Sequence, residues 1–425
     1  MLKNEYIIAI DIGSSHIRTV VAQVIAQEEN KPRIVGVGVV LSSGIRRGIV
    51  ADIEEVTESI GKSIEDAQRN SGVKIENAYV SIGGAHIKSV ETKGVIAVGM
   101  VNGEVSPEDI ERATEAAQAI NLPPNKEILH LVPQSYCLDD QEDIKDPLGM
   151  IGVRLEVRGL IIFGSTSHIR NITKCVNNNG IEVEGFVISP LAAAKAVLNK
   201  RQKELGVVCI DIGSETTSLA VYEERELIHI AVLPIGAGHI TNDIAIGLRT
   251  SIDVAEKVKL KYGSALSNEI SKRDQINLAD FDPNEEGIIS RRHVAEIIEA
   301  RLEEIFYMVE KELKKINRSA LLPAGAVLTG GGACMQGSVD LAKDILKLPV
   351  QTGFPIELSG LIDKVDSPVF SVTIGMILWA FEDPVAMANN ERTSNIFSKK
   401  DLISKMSSIK GDAQTIKKWF GKFLP

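Results

Sequence analysis

The sequence predicts an α/β protein of two related lobes made by internal duplication. A subdomain is inserted into the first lobe, and an amphipathic helix closes the chain. Three observations predict this. The pentapeptide IDIGS occurs twice, 200 residues apart, in YIIAIDIGSSHIRTVVAQV (6–24) and GVVCIDIGSETTSLAVYEE (206–224). Each copy runs from an apolar stretch through Asp-Ile-Gly and a polar turn into a second apolar stretch, the pattern of strand, tight turn, strand. The last eleven residues, TIKKWFGKFLP, carry lysines and bulky apolar side chains but no acid. A period near 200 is too long for a solenoid and indicates a duplicated domain.

Taken in order, each hairpin is followed by a further β-rich run, RIVGVGVVLSSGI (33–45) and LIHIAVLPIGAGHI (227–240). A helical pattern then begins, with Ile53, Val56, Ile60 and Ile64 sharing one face in the first half and Ile240, Ile244 and Leu248 in the second. Residues 85–162 interrupt the first half. They hold a β-rich stretch (86–101), a helix from Pro107 to Ile120, a Pro-rich link at 123–133 and a β-rich end at 150–165. LAAAKAVLN (191–199) is a short helix joining the halves. Residues 291–317 form a long helix with Val294, Ile298, Leu302, Ile305, Val309 and Leu313 inward. VLTGGGA (327–333) is a strand entering a triple-glycine turn, and VTIGMILWA (372–380) is an apolar helix in which Gly375 permits close packing. Residues 385–410 are polar and lack a pattern, which predicts a flexible linker.

Composition narrows the function. The 425 residues are 44% hydrophobic and 24% charged, ordinary globular values that exclude wholesale disorder. A net charge of −10 and 4% aromatic residues argue against nucleic acid as a partner. The charge is uneven: residues 385–425 hold eight Lys/Arg and three acids, +5, leaving −15 for the rest. A basic tail on an acidic body suggests contact with something the body would be repelled from. Cys137, Cys175, Cys209 and Cys334 never form C-x-x-C, which suits a reducing cytoplasm. No stretch of apolar residues is long enough to span a bilayer.

The three turns carry the chemistry. Asp-x-Gly after a strand sets a carboxylate beside backbone N–H groups free to form an anion nest. Ser14 and Ser15 add hydroxyls in the first copy; Ser214, Thr216 and Thr217 do so in the second. Asp11 and Asp211 would repel phosphate unless they held Mg²⁺, often through water. Gly330, Gly331 and Gly332 let backbone lie flat against a ligand face. One such hairpin alone is most often just a tight turn, and a lone GGG after a strand is as readily a plain turn. Two phosphate hairpins facing across a cleft, with a glycine shelf, describe a nucleotide pocket between domains.

At this point the sequence resembles the actin-like ATPase superfamily, and more closely the FtsA family of bacterial division proteins. SGIRRGIVADIEEV (43–56), HLVPQSYCLDDQEDIKDPLGMIGVRLE (130–156), GLRTSIDVAEKVKLKYGSA (247–265), EIIEARLEEI (296–305) and VLTGGGA carry the resemblance. It implies a duplicated actin-like (ribonuclease H-like) fold. Subdomain 1A would cover 1–84, 163–195 and about 366–384, with an SHS2-like insertion, 1C, at 85–162. Subdomain 2A would cover 196–245 and about 322–365, 2B would be 246–321, a linker 385–414 and a membrane-targeting helix 415–425. By resemblance, Asp11, Gly13, Ser14 and Ser15 form the first phosphate turn, and Asp211, Gly213, Ser214, Glu215 and Thr216 the second. Gly330, Gly331 and Gly332 sit beside the adenosine of ATP, and Glu256 and Lys259 approach ribose and base. The bland reading of that last pair is a surface ion pair at i, i+3.

The departures from the family pattern DIGGGTTD are Ser214 and Glu215 for two glycines and Ser218 for an Asp; His16 stands where many relatives carry Lys. Glu215 brings negative charge to the phosphate turn. It points away, helps hold Mg²⁺ or weakens ATP binding. These changes bear on hydrolysis more than on binding, so the expected role of ATP is as an assembly ligand, with weak ATPase activity at most.

In the tail, Ile416, Trp419, Phe420, Phe423 and Leu424 share one helical face, with Lys417, Lys418 and Lys422 off it. Five such side chains carry a gross apolar term of roughly 7–15 kcal/mol before ordering costs. The expected target is an anionic membrane surface. The resemblance implies further partners: other copies of the chain in a filament, the FtsZ C-terminal peptide, and later divisome proteins. Arg291, Arg292 and Arg301 are the candidate contacts for that peptide. The implied place is the cytoplasmic face of the membrane at the division site. A pilus-assembly platform of the PilM type is the alternative, as is a small-molecule kinase, for which SPLAAAKAVL offers no catalytic carboxylate.

Overall fold

The computed structural model describes residues 5–24, 31–99, 102–285, 287–356 and 359–382. The expected linker and the tail residues Ile416, Lys417, Lys418, Trp419, Phe420, Lys422, Phe423 and Leu424 lie outside them.

The first IDIGS copy joins β1 (Glu5–Ile12) to β2 (His16–Val24), and β3 (Arg33–Leu41) extends the antiparallel meander. A small ribbon, β4 (Ile45–Arg46) with β5 (Ile49–Val50), leads to α1 (Ile53–Ser71). Asp52 caps α1 by accepting from the N–H groups of Glu54 and Glu55, and Gly72 ends it in the left-handed region at φ +70°. Val56, Ile60 and Ile64 are buried along its inner face, as their spacing predicts. Strand β6 (Asn77–Ile82) then pairs parallel with β1.

The interruption is an antiparallel sheet of its own: β7 (Lys88–Ala97), β8 (Lys126–Leu138), β9 (Gln141–Ile144) and β10 (Arg154–Ser165), in the order β7-β10-β8-β9. Helix α2 (Pro107–Gln118) covers it and starts at a Ser106–Asp109 capping box. Here one expectation fails. The Pro-rich link at 123–133 is mostly strand. Pro133 is tolerated because it stands opposite Gly159, where the β8–β10 register shifts.

The chain returns through α3 (Thr166–Asn177), β11 (Glu182–Ile188) and α4 (Ser189–Val197) to the first lobe, and α5 (Lys200–Leu205) opens the second. There β12 (Val207–Ile212), β13 (Thr217–Glu223) and β14 (Glu226–Leu233) form the second meander. Helices α6 (Ala237–Leu248) and α7 (Ile252–Tyr262), a ribbon of β15 (Gln275–Asn277) and β16 (Ile288–Ser290), and α8 (Arg291–Lys315) follow. All six inward residues predicted for α8 are fully buried. Strand β17 (Ala326–Thr329), α9 (Ser338–Leu346) and β18 (Val350–Thr352) complete the lobe. Then β19 (Ser359–Gly360), α10 (Ile362–Val365) and α11 (Ser371–Glu382) recross to the first lobe.

The duplication is visible in topology. The first sheet runs β11-β6-β1-β2-β3, edged by β19, and the second runs β18-β17-β12-β13-β14, each with two parallel strands beside an antiparallel meander. Along β12 the side chains alternate. Val208, Ile210 and Ile212 join the core under α6–α9, while Val207 and Cys209 join the apolar cluster of the first lobe. Helices α4 and α11 pack together in that first cluster. A Cβ on Gly375 would meet the Ala192 carbonyl oxygen at 1.7 Å, so only glycine allows the approach.

Candidate functional site

Both IDIGS turns close identically. Gly13 N–H donates to the His16 carbonyl at 3.2 Å, and Gly213 N–H to the Thr216 carbonyl at 2.9 Å. Ser14 and Ser15 lie in the first turn; Ser214, Glu215 and Thr216 lie in the second. Thr217 does not join them: its buried hydroxyl donates to the Ile235 carbonyl within the second lobe. The second turn is braced from behind by the start of α6. Ala237 N–H donates to the Gly213 carbonyl at 2.8 Å and Gly238 N–H to the Ser214 carbonyl at 2.6 Å. The GAG at 236–238, read from sequence only as the end of a β-rich run, is this brace. A Cβ on Gly236 would strike the Gly213 carbonyl oxygen at 2.5 Å.

The two aspartates come together across the lobes. Asp11 stands opposite Arg18 in the β1–β2 ladder, with Nη1 of Arg18 3.9 Å from the carboxylate. Asp211 stands opposite Ser218. Burial raises both carboxyls. Asp211 is pushed up to about 7 by burial first and by the Asp11 charge second, with Arg18 pulling it down. Asp11 is raised by burial, opposed by Arg18 and by a hydrogen bond from Ser81. Arg18, a lone cation in a mostly apolar strand, thus faces both acids. Its guanidinium also lies 5.7 Å from the centre of the Phe370 ring, and its Nε has no hydrogen-bond partner. Two buried carboxylates, one of them raised by the other's charge, are hard oxygen donors short of positive charge, and such a pair fits Mg²⁺.

Glycines complete the floor, unequally. A Cβ on Gly330, at φ +80°, would lie 2.2 Å from Asp211 Oδ1, and one on Gly332 would lie 2.3 Å from Ile212 Cγ2. Both are glycine because the second hairpin packs on them. Of the three expected to form a shelf, only Gly331 is exposed, with nothing nearer its added Cβ than Val369 at 3.9 Å.

Glu256 and Lys259 are more than a surface pair. Their ion pair is 2.6 Å, but Lys259 is buried, donating to Thr241 Oγ1 at 2.8 Å and reaching the Ala237 carbonyl at 3.4 Å. Glu256 accepts from the Thr241 hydroxyl and acts electrostatically on His16 in the first turn. His16 is held below its ordinary value by burial first and Arg18 second, against Glu256. Glu215 does not point away: its carboxylate accepts the backbone N–H of Arg47, in the β4–β5 ribbon of the opposite lobe.

Arg291 and Arg292 open α8 and Arg301 stands further along it, and all three take their partners outside the two turns. Arg301 grips Asp243 with two hydrogen bonds, at 2.6 and 2.9 Å, and also pairs with Glu304. Arg291 donates to the Tyr262 carbonyl, and Arg292 bonds Asn268. A groove of about 420 Å³ opens between α6 and α8, lined by Asp243, Ile246, His293, Ile297 and Arg301. A second, of about 400 Å³, continues along α8 past Tyr307 and Met308. Among the described residues no group of three or more His, Cys, Asp or Glu could hold a metal ion, and no helix is long and apolar enough to cross a membrane.

Comparison with known proteins decides the family. A sequence model described as "Cell division protein FtsA" matches residues 208–375, and one described as "SHS2 domain inserted in FTSA" matches 84–163. The cell division protein FtsA of Pseudomonas aeruginosa is 38% identical over 376 residues, 88% of this chain and 89% of that one. The chain belongs to the FtsA family. The FtsA of Borreliella burgdorferi is 35% identical over 423 residues, 99% of this chain and 100% of that one. Among solved structures, the PilM–PilN type IV pilus biogenesis complex superposes with a TM-score of 0.62 at 16% identity, covering 88% of this chain and 98% of that one. MreB5 of Spiroplasma citri bound to ADP gives 0.52 at 14%, covering 91% and 99%. These likenesses establish the actin-like fold, with the SHS2 domain inserted in its first lobe. The PilM likeness is one of fold; the FtsA relatives are those alike in sequence.

Proposed function

We propose that this FtsA-family protein binds ATP with Mg²⁺ between its lobes, assembles head to tail, and ties FtsZ filaments to the cytoplasmic membrane while recruiting later divisome proteins. The observation that carries the nucleotide reading is the meeting of two identically closed turns, with Asp11 close enough for its charge to raise Asp211. The fold neighbour MreB5, described as bound to ADP, supports it. In this reading Asp11 and Asp211 hold Mg²⁺, which offsets phosphate charge. Gly13, Ser14, Ser15, Gly213, Ser214 and Thr216 cradle phosphates, and Gly331 with Glu256 and Lys259 borders the nucleoside. The division into 1A, 1C, 2A and 2B belongs to the same proposal, as do assembly in place of catalysis and the tail as anchor.

Cys334 offers a direct test. It is exposed two residues beyond the glycine turn, whereas Cys137, Cys175 and Cys209 are buried. Mg·ATP should slow alkylation of Cys334 several-fold; an unchanged rate at saturating nucleotide contradicts the placement. The α6–α8 groove and its continuation along α8 support docking of an acidic peptide with apolar anchors, since Ile246, beside Arg301 in the first, is 76% exposed and Tyr307, in the second, is 59% exposed. Arg301→Glu should weaken the FtsZ C-terminal peptide about tenfold, whereas equal affinity removes Arg301 from the contact. For the tail, anionic liposomes should pellet the full chain and leave the 1–410 truncation in solution.

A further inference from the structure

The contact between Glu215 and Arg47 joins the two lobes at the place where phosphate is expected. Glu215 is the third residue of a turn closed by Gly213 and Thr216 and braced by α6. Arg47 and Gly48 both have positive φ, +52° and +72°. Gly48 N–H donates to Ser14 Oγ of the first turn at 3.3 Å, and a Cβ on Gly48 would meet Gly84 Cα at 2.9 Å. The ribbon tip is therefore pinned to the first turn through Ser14 and held by the second turn through Glu215. A carboxylate accepting a backbone N–H between two anion-binding turns does what a phosphate oxygen would do there.

We propose that Glu215 is a resident anion that latches the lobes without nucleotide and makes the site prefer a nucleoside diphosphate over a triphosphate. The proposal rests on the nucleotide reading above and refines it. The cleft already holds Asp11 and Asp211, with Arg18 as the cation facing both. A triphosphate adds one more charged group to this set and must compete with Glu215 for the ribbon's N–H. A diphosphate leaves the latch in place.

The test uses the full chain and the variants E215Q and E215A. Glutamine keeps an acceptor for Arg47 and removes the charge; alanine removes both. Hydrogen exchange without nucleotide should show the Arg47 amide protected in the parent and exchanging at least about tenfold faster in E215A. Equal rates would overturn the latch. With Mg²⁺, fluorescent ADP should bind the parent several-fold more tightly than fluorescent ATP. E215Q and E215A should each narrow that ratio, mainly by tightening ATP about tenfold. An unchanged ratio with both nucleotides bound would overturn the preference. If the Arg47 amide loses protection in E215A but no protein binds either nucleotide, the latch stands and the nucleotide reading falls.

Discussion

The two IDIGS hairpins share a pentapeptide, a turn closure and a ladder register, yet their aspartates live in different surroundings. Asp11 has Arg18 directly across the ladder and a hydrogen bond from Ser81; Asp211 has Ser218 across the ladder and Gly330 pressed against its carboxylate. Asp211 is the one pushed up to about 7. Duplication has preserved the backbone that presents an acid to the cleft. The compensating charge sits in one lobe and serves both. The second carboxylate draws its balancing charge from the opposite lobe.

The comparison can be broken most forcefully at the glycines behind each hairpin. Strand β6 ends at Ile82 and β17 at Thr329, so that Gly83 and Gly330 are each the first residue beyond corresponding strands of the two sheets. Gly330→Ala drives a Cβ into Asp211 at a strained φ and should cost about 3 kcal/mol. Gly83→Ala meets only Ser189 Oγ at 3.1 Å and should cost under about 1 kcal/mol. Denaturant melts of both read the difference; equal losses would mean the lobes are not packed as unequally as described. Next in size, Arg18→Gln removes the shared cation and should cost roughly 2–3 kcal/mol, whereas Ser218→Ala at the matching position should stay within about 1 kcal/mol.

The smallest effect sharpens the pH behaviour. Because folding raises the Asp211 carboxyl from its ordinary 3.8 to about 7, the folded state takes up a proton in that window. The group therefore favours folding most at low pH, and this advantage is lost as pH rises toward 7. Asp211→Asn should accordingly stabilise the nucleotide-free protein more at pH 8 than at pH 5, by on the order of 2 kcal/mol. Thermal melts at the two pH values check it, and a gain independent of pH would remove Asp211 as the destabilised acid.

Much of this was legible in the sequence because it follows from local pattern. The repeat exposed the duplication, and helical spacing located the buried faces of α1 and α8. The interruption at 85–162 marked a separate sheet. What stayed hidden depends on contacts between distant segments. Arg18 reads as one polar residue in an apolar run, and only the β1–β2 register sets it opposite Asp11. Pro133 argued against a strand until a register shift gave it room. The repeat of Gly-Gly-Ala behind both hairpins was obscured by differing neighbours, and Gly330 and Gly332 are glycine for packing, whereas Gly331 alone faces outward. The reach of Glu215 to Arg47 across 168 positions leaves no trace in the order of residues.

Calorimetric titration of Mg·ADP and Mg·ATP into the full chain, beside the variant Asp11→Ala, tests the convergence of the two hairpins most directly. Saturable binding at one site by the parent, lost in the folded variant, is the predicted result. A folded parent protein that takes up neither nucleotide, or a variant that binds as well as the parent, would contradict it.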